Sequence, residues 1–164
     1  MKITDQVREH VSIDDYQNEK YSMLLKYFLG KVDVFQMVIR TDIDFKSDDT
    51  YGYSDSAYQF IQELKPFIFE EKQSKRWLAS STFGSPAIVY KGRFNQDSLM
   101  IILKYTNKIS DWQGPDNPDD LSLMNGNSPR LSFIGHEKIG FYFLNSEEAS
   151  ILVNRYGFSG IVIH

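Results

Sequence analysis

Hydrophobic and polar positions along this chain repeat with two different periods, and the switches between them mark its elements. Tyr21, Leu24, Leu25, Phe28 and Leu29 recur three or four residues apart. That spacing predicts a helix beginning after Asp14 or Asp15 and ending near Gly30, a residue suited to the turn past a helix end. From Val32 to Arg40 the period shortens: Phe35, Met37 and Ile39 alternate with Gln36, Val38 and Arg40, as in a strand with one strongly buried face. Ser54 is read as the cap of a second helix running to about Leu64, with Tyr58, Ile61 and Leu64 on one face and Lys65-Pro66 as its stop. Phe67 to Phe69 and Ala87 to Tyr90 read as strands. Asn95 caps a third helix whose buried stripe carries Leu99, Ile102, Leu103 and Thr106.

The last third is richer in strands. Leu121 to Met124 and Arg130 to Ile134 flank Asn125-Gly126, a strong hairpin signal, and Phe141 to Leu144 follows as a third strand. Ser146 is read as the cap of a final helix, Glu147 and Glu148 suit its positive end, and Gly157 lies past its last turn. Gly160 to Ile163 closes the pattern as a short edge strand. Helices mixed with consecutive strands predict a single α+β domain over residues 1–164, with a mostly antiparallel sheet and about four helices. Residues 1–12 are expected to be mobile, and residues 42–53 to form an acidic loop.

Composition sharpens this picture. With 164 residues, 41% hydrophobic and 15% aromatic, the chain has ample material for one core and is not expected to be disordered. A net charge of −4 with scattered Lys and Arg argues against a nucleic-acid surface. The absence of cysteine removes thiolate nucleophiles, disulfides and Cys-ligated metals. No apolar run approaches membrane-spanning length, so a soluble, cytoplasmic protein without cofactor or membrane partner is expected.

Candidate chemistry concentrates between Trp112 and Glu137. Pro115 and Pro118 stiffen a corner after Trp112, and Asp119 and Asp120 follow it directly. If the Asn-Gly hairpin pairs, either carboxylate could meet His136 across the ladder and orient it as a general base in a small hydrolase-like enzyme. A metal site of His136, Asp119 and Glu137 is disfavoured, because adjacent strand residues point to opposite faces. Phosphate loops, dinucleotide turns and nucleophile elbows are absent from the sequence. Trp112 is either a buried pillar of the corner or, on the surface, an aromatic anchor for binding.

A second reading belongs to a different class. Asp42, Asp44, Asp48, Asp49 and Asp55 interleave with Tyr51, Tyr53 and Tyr58. Carboxylates steer a basic protein partner and tyrosines anchor it, as in small acidic immunity or antitoxin proteins. A protein-binding module is therefore the preferred expectation, with the His136 enzyme as its alternative.

The motif segment resembles a family of small bacterial proteins with no assigned activity, which carry an upstream Trp, a helix, a second Trp, Pro-Glu-Asp-Leu, a strand pair and His-Glu. The matching parts are Trp77, the helix after Asn95, Trp112, Pro118-Asp119-Asp120-Leu121 and His136-Glu137. Asp119 stands where the family has Glu, and Leu78-Ala79 where it has Pro-Gly. The resemblance implies that Trp112 packs against the hairpin and that the Pro118 corner neighbours His136.

Overall fold

Alternating side chains need a covered face, and here one antiparallel sheet supplies the surface on which the helices settle. The computed structural model describes residues 6–42 and 52–163. Among these residues eight strands follow one another through the chain: β1 (Arg8–Ser12), β2 (Val34–Ile39), β3 (Ile68–Ser74), β4 (Ala87–Arg93), β5 (Asp119–Asn125), β6 (Ser128–Ile134), β7 (Ile139–Leu144) and β8 (Ile161–Ile163). Four helices join them: α1 (Glu19–Tyr27), α2 (Asp55–Leu64), α3 (Gln96–Tyr105) and α4 (Ser146–Tyr156). The strands form one antiparallel sheet in the order β3-β4-β2-β5-β6-β7-β1-β8. This is the α+β single domain that the hydrophobic pattern predicts.

One sheet face meets the helices. Phe35, Met37 and Ile39 of β2, Leu123 of β5, Leu131 and Phe133 of β6, and Tyr142 and Leu144 of β7 pack with Tyr21, Leu25 and Phe28 of the α1 segment and Phe60 and Leu64 of α2. A fully buried side chain of this size contributes about 1.5–3 kcal/mol, so this layer dominates the stability of the fold. The opposite face of the central strands is covered too. Trp77, from the segment between β3 and β4, lies with Val38, Ala87 and Val89 in a second, smaller cluster. That cover is pinned by Gln36, whose side-chain oxygen accepts the Leu78 N–H at 3.0 Å. Every residue of β2 is consequently buried, polar Gln36 included.

Two expectations are corrected. Residues 8–12, expected to be mobile, form β1, an interior strand paired with β7 on one side and β8 on the other. Its Arg-Glu-His-Val-Ser sequence lacks apolar alternation, and only long-range pairing makes it a strand. The caps of α2 and α4 also differ. Ser54 occupies the first cap position but makes no side-chain capping bond, and its hydroxyl is buried without a hydrogen-bond partner. Asn145, not Ser146, caps α4, in a reciprocal box with Glu148. The predicted Asn95 cap is present, with Ser98 completing the box. The β5–β6 hairpin turns at Gly126, whose φ of 62° lies in the left-handed region open to glycine.

Asn95→Ala is expected to lower unfolding free energy by about 1 kcal/mol, through loss of the hydrogen bond from the Ser98 N–H to the Asn95 side chain. Ser54→Ala is expected to stay within about 0.5 kcal/mol of wild type, because no capping bond is lost. Urea titrations of both variants check the pair.

Candidate functional site

The corner between α3 and β5 delivers Asp119 and Asp120 to the sheet, and an irregularity decides where they point. Gln36 pairs with Ser122 while Val38 pairs with Asp119, so three residue steps of β5 face two of β2. That is a β-bulge, and Asp120 absorbs it with a φ of 56°, a conformation Asp tolerates better than most residues. Strict alternation would send one carboxylate inward and its neighbour outward. The bulge instead buries both, at 3% and 2% exposure.

A buried carboxylate needs donors, and four separate segments supply them. Asp119 accepts the Tyr53 hydroxyl at 2.7 Å and the Gly114 N–H at 2.8 Å, both through Oδ1. The Tyr53 oxygen in turn accepts the Arg40 backbone N–H at 3.0 Å. Asp120 accepts the Trp77 indole N–H at 3.0 Å through Oδ2 and the Gly135 N–H at 3.2 Å through Oδ1. The Asp120 N–H donates to the Trp112 carbonyl at 3.2 Å. Gly135 must be glycine for the same reason of proximity: a Cβ there would sit 1.9 Å from the Trp112 carbonyl oxygen.

Trp112 stands at the centre of this packing. Its ring is wholly buried, 5.6 Å from that of Phe60, and its indole N–H donates to the Tyr21 hydroxyl at 2.9 Å. Tyr21 in turn shares a hydrogen bond of 2.5 Å with Thr106. Of the two sequence readings of Trp112, the buried pillar is the one observed, and the surface anchor is corrected. The peptide bond between Gly114 and Pro115 is cis.

His136 is placed differently from the cross-ladder position expected. It lies not on a strand but in a short 3-10 turn, Gly135–Glu137, between β6 and β7. The corner folds back to this turn as expected, yet it is the Gly135 backbone that meets Asp120. The imidazole is about half exposed and its Nε2 lies 3.8 Å from Glu137 Oε1. Because the turn breaks strand alternation, His136 and Glu137 sit side by side rather than on opposite faces. Oδ1 of Asp119 and both oxygens of Asp120 are held by hydroxyl, indole and amide donors, and the charge of His136 acts on both carboxylates although neither is hydrogen-bonded to it. Among the described residues no three His, Cys, Asp or Glu side chains converge to hold a metal ion.

The expected binding loop is divided. Asp48, Asp49 and Tyr51 lie outside the described residues. Tyr53, expected on the surface, is buried and bonded to Asp119; Tyr58 is exposed on α2. Asp42 is held by the Arg40 guanidinium at 3.0 Å and by Thr82. Sequence reading missed Tyr53 and Trp77 as carboxylate partners. Trp77 was marked only through the family resemblance, and nothing local in the chain distinguishes a tyrosine that turns inward.

Burial decides the electrostatics of the pair. It raises both carboxyls above the ordinary carboxylate range, Asp120 to about 6. For Asp119 the Tyr53 and Gly114 hydrogen bonds pull the other way; for Asp120 the Trp77 bond does so, while the charge of Asp119 adds to the rise. The Tyr53 phenol is pushed up by burial and then by the Asp119 charge, so it stays a donor. These effects build a neutral-to-anionic lock that joins distant segments.

Comparison of the chain with protein-family models, with curated proteins and with solved structures found no match.

An acid whose folded pKa is raised binds its proton more tightly in the native state. Its stabilising contribution is therefore full below the unfolded value near 4 and lost as pH rises through about 6. Relative to Asp120→Asn, wild type is expected to lose on the order of 2 kcal/mol across that window, read from urea unfolding at each pH. Trp112→Ala is expected to cost about 3–5 kcal/mol, measured by the same titration.

Proposed function

We propose that this protein is a protein-binding module that receives a basic partner, of the immunity or antitoxin kind, on an acidic and aromatic surface around α2. The observation that carries this reading is Tyr58, a large aromatic side chain left 52% exposed on α2. Beside it stands Tyr90 of β4, whose phenol is raised to about 12 by burial, then by the charge of Glu71, with Tyr58 as a further neighbour. Asp55 lies exposed in the first turn of α2, and Phe69 of β3 is 58% exposed. Asp48, Asp49 and Tyr51 belong to the stretch of chain that leads directly into α2.

Tyrosine offers a partner large contact area with few rotors, and carboxylates at the rim guide a cationic surface toward it. The inward turn of Tyr53 moves the proposed centre from the loop to Tyr58. The fixed lock beneath supports this role, since Tyr53 ties the entry of α2 to the sheet and keeps its outer face in one place.

The tagged protein, used to recover its partner from native lysate, tests the reading. Tyr58→Ala and Glu71→Lys are expected to reduce recovery at least tenfold with little change in melting temperature, and added salt is expected to weaken binding. Recovery that ignores both substitutions and salt contradicts the proposal.

A further inference from the structure

A cleft on the helix-covered side of the sheet, far along it from the buried aspartates, has a chemistry of its own. Its floor is Leu144 of β7, Phe158 and His10 of β1; α4 forms one wall and Val162 of β8 the other. Its volume is about 650 Å³, within the range of small-molecule sites. The wall from α4 is Ser146, Ala149, Ser150, Val153 and Asn154, spaced so that one helix face lines the cleft without an acidic or bulky polar side chain. Glu147 and Glu148 fall on other faces of α4, and Glu148 is engaged with Arg130.

Arg8 stands at the mouth. Its side chain makes no ion pair with any described residue, although the chain as a whole carries a charge of −4. Among the described residues no Asp or Glu lines the cleft. His10 faces it at 6% exposure, its ring packed edge-on to Phe158 at 6.2 Å and hydrogen-bonded to the Leu144 backbone. Burial, then the Arg8 charge, lowers its pKa, while the Leu144 carbonyl pulls the other way, so near neutral pH the ring adds no charge to the floor. A guanidinium with no ion-pair partner among the described residues, at the rim of a hollow that mixes Leu144, Val153, Phe158 and Val162 with Ser146, Ser150 and Asn154, is complementary to one class of small molecule.

We infer that the cleft between α4 and the β1–β8 edge binds a small amphipathic carboxylic acid, its carboxylate on Arg8 and its apolar body against Leu144, Val153, Phe158 and Val162. The guanidinium gives the head group two parallel donors, and the hydrocarbon replaces water on side chains that are otherwise exposed, such as Val153 at 48% and Val162 at 38%. This site is independent of the proposed surface around α2.

Octanoate is the probe, titrated calorimetrically into the full chain, with octan-1-ol and acetate as comparisons. Saturable octanoate binding is expected, weakened at least tenfold in octan-1-ol, in acetate and in the Arg8→Gln and Val153→Glu variants. Both substitutions are at exposed positions, and unchanged melting curves confirm that the variants fold. Three results overturn the inference: no saturable octanoate binding, equal binding by Arg8→Gln, or octan-1-ol binding as well as octanoate.

Discussion

The structure turns on two adjacent carboxylates that are almost wholly removed from water. Once the bulge in β5 places Asp119 and Asp120 inside, each must find hydrogen-bond donors or leave a buried charge without compensation, which costs several kcal/mol. The donors come from the entry to α2, the Trp77 segment, the Gly114 corner and the turn after β6. None of these segments neighbours another in the chain, apart from the corner that carries the aspartates themselves. The pair therefore acts as a junction: it fixes the cover over one sheet face and the start of the helix over the other. Burial outweighs the hydrogen bonds in setting Asp120, so the lock is held at an electrostatic cost and serves specificity of arrangement more than raw stability.

Around this junction the two sides of the sheet take different roles. Trp112 and Tyr21 extend the polar connections into the aromatic core, through a chain of hydrogen bonds that runs by way of Thr106 to the Ile102 carbonyl. That core anchors α1, α2 and α3 firmly. By contrast, α4 buries Leu152 and leaves its small-residue face turned to open space above β1 and β8. A centre with one firmly held helix face and one open hollow would suit the binding roles proposed above, since fixed geometry lowers the cost of binding.

Much of the fold was legible because local chemistry and tertiary structure agree. The Asn95 cap, the Asn125-Gly126 turn, the alternation in β2 and Gly157 at the end of α4 each carry their own signal. β1 carries none: Arg8, Glu9 and His10 form a strand because β7 and β8 lie ready on both sides. The site was legible in position but not in detail. Proximity of the proline corner to the His136 turn follows from the hairpin. Alternation cannot anticipate that Asp120 adopts a left-handed backbone, or that Gly135 brings an amide rather than an imidazole to it. Tyr53 misleads for a similar reason, since its acidic sequence neighbours suggest solvent while its hydroxyl serves Asp119.

The most direct measurement follows the Trp77 indole N–H and the Gly135 amide by nuclear magnetic resonance as pH is varied. Both protons sit on Asp120, so both resonances should titrate together with a midpoint near 6. Resonances that move independently, or that titrate with the ordinary carboxylate value near 4, would contradict a shared buried carboxylate as the junction of the fold.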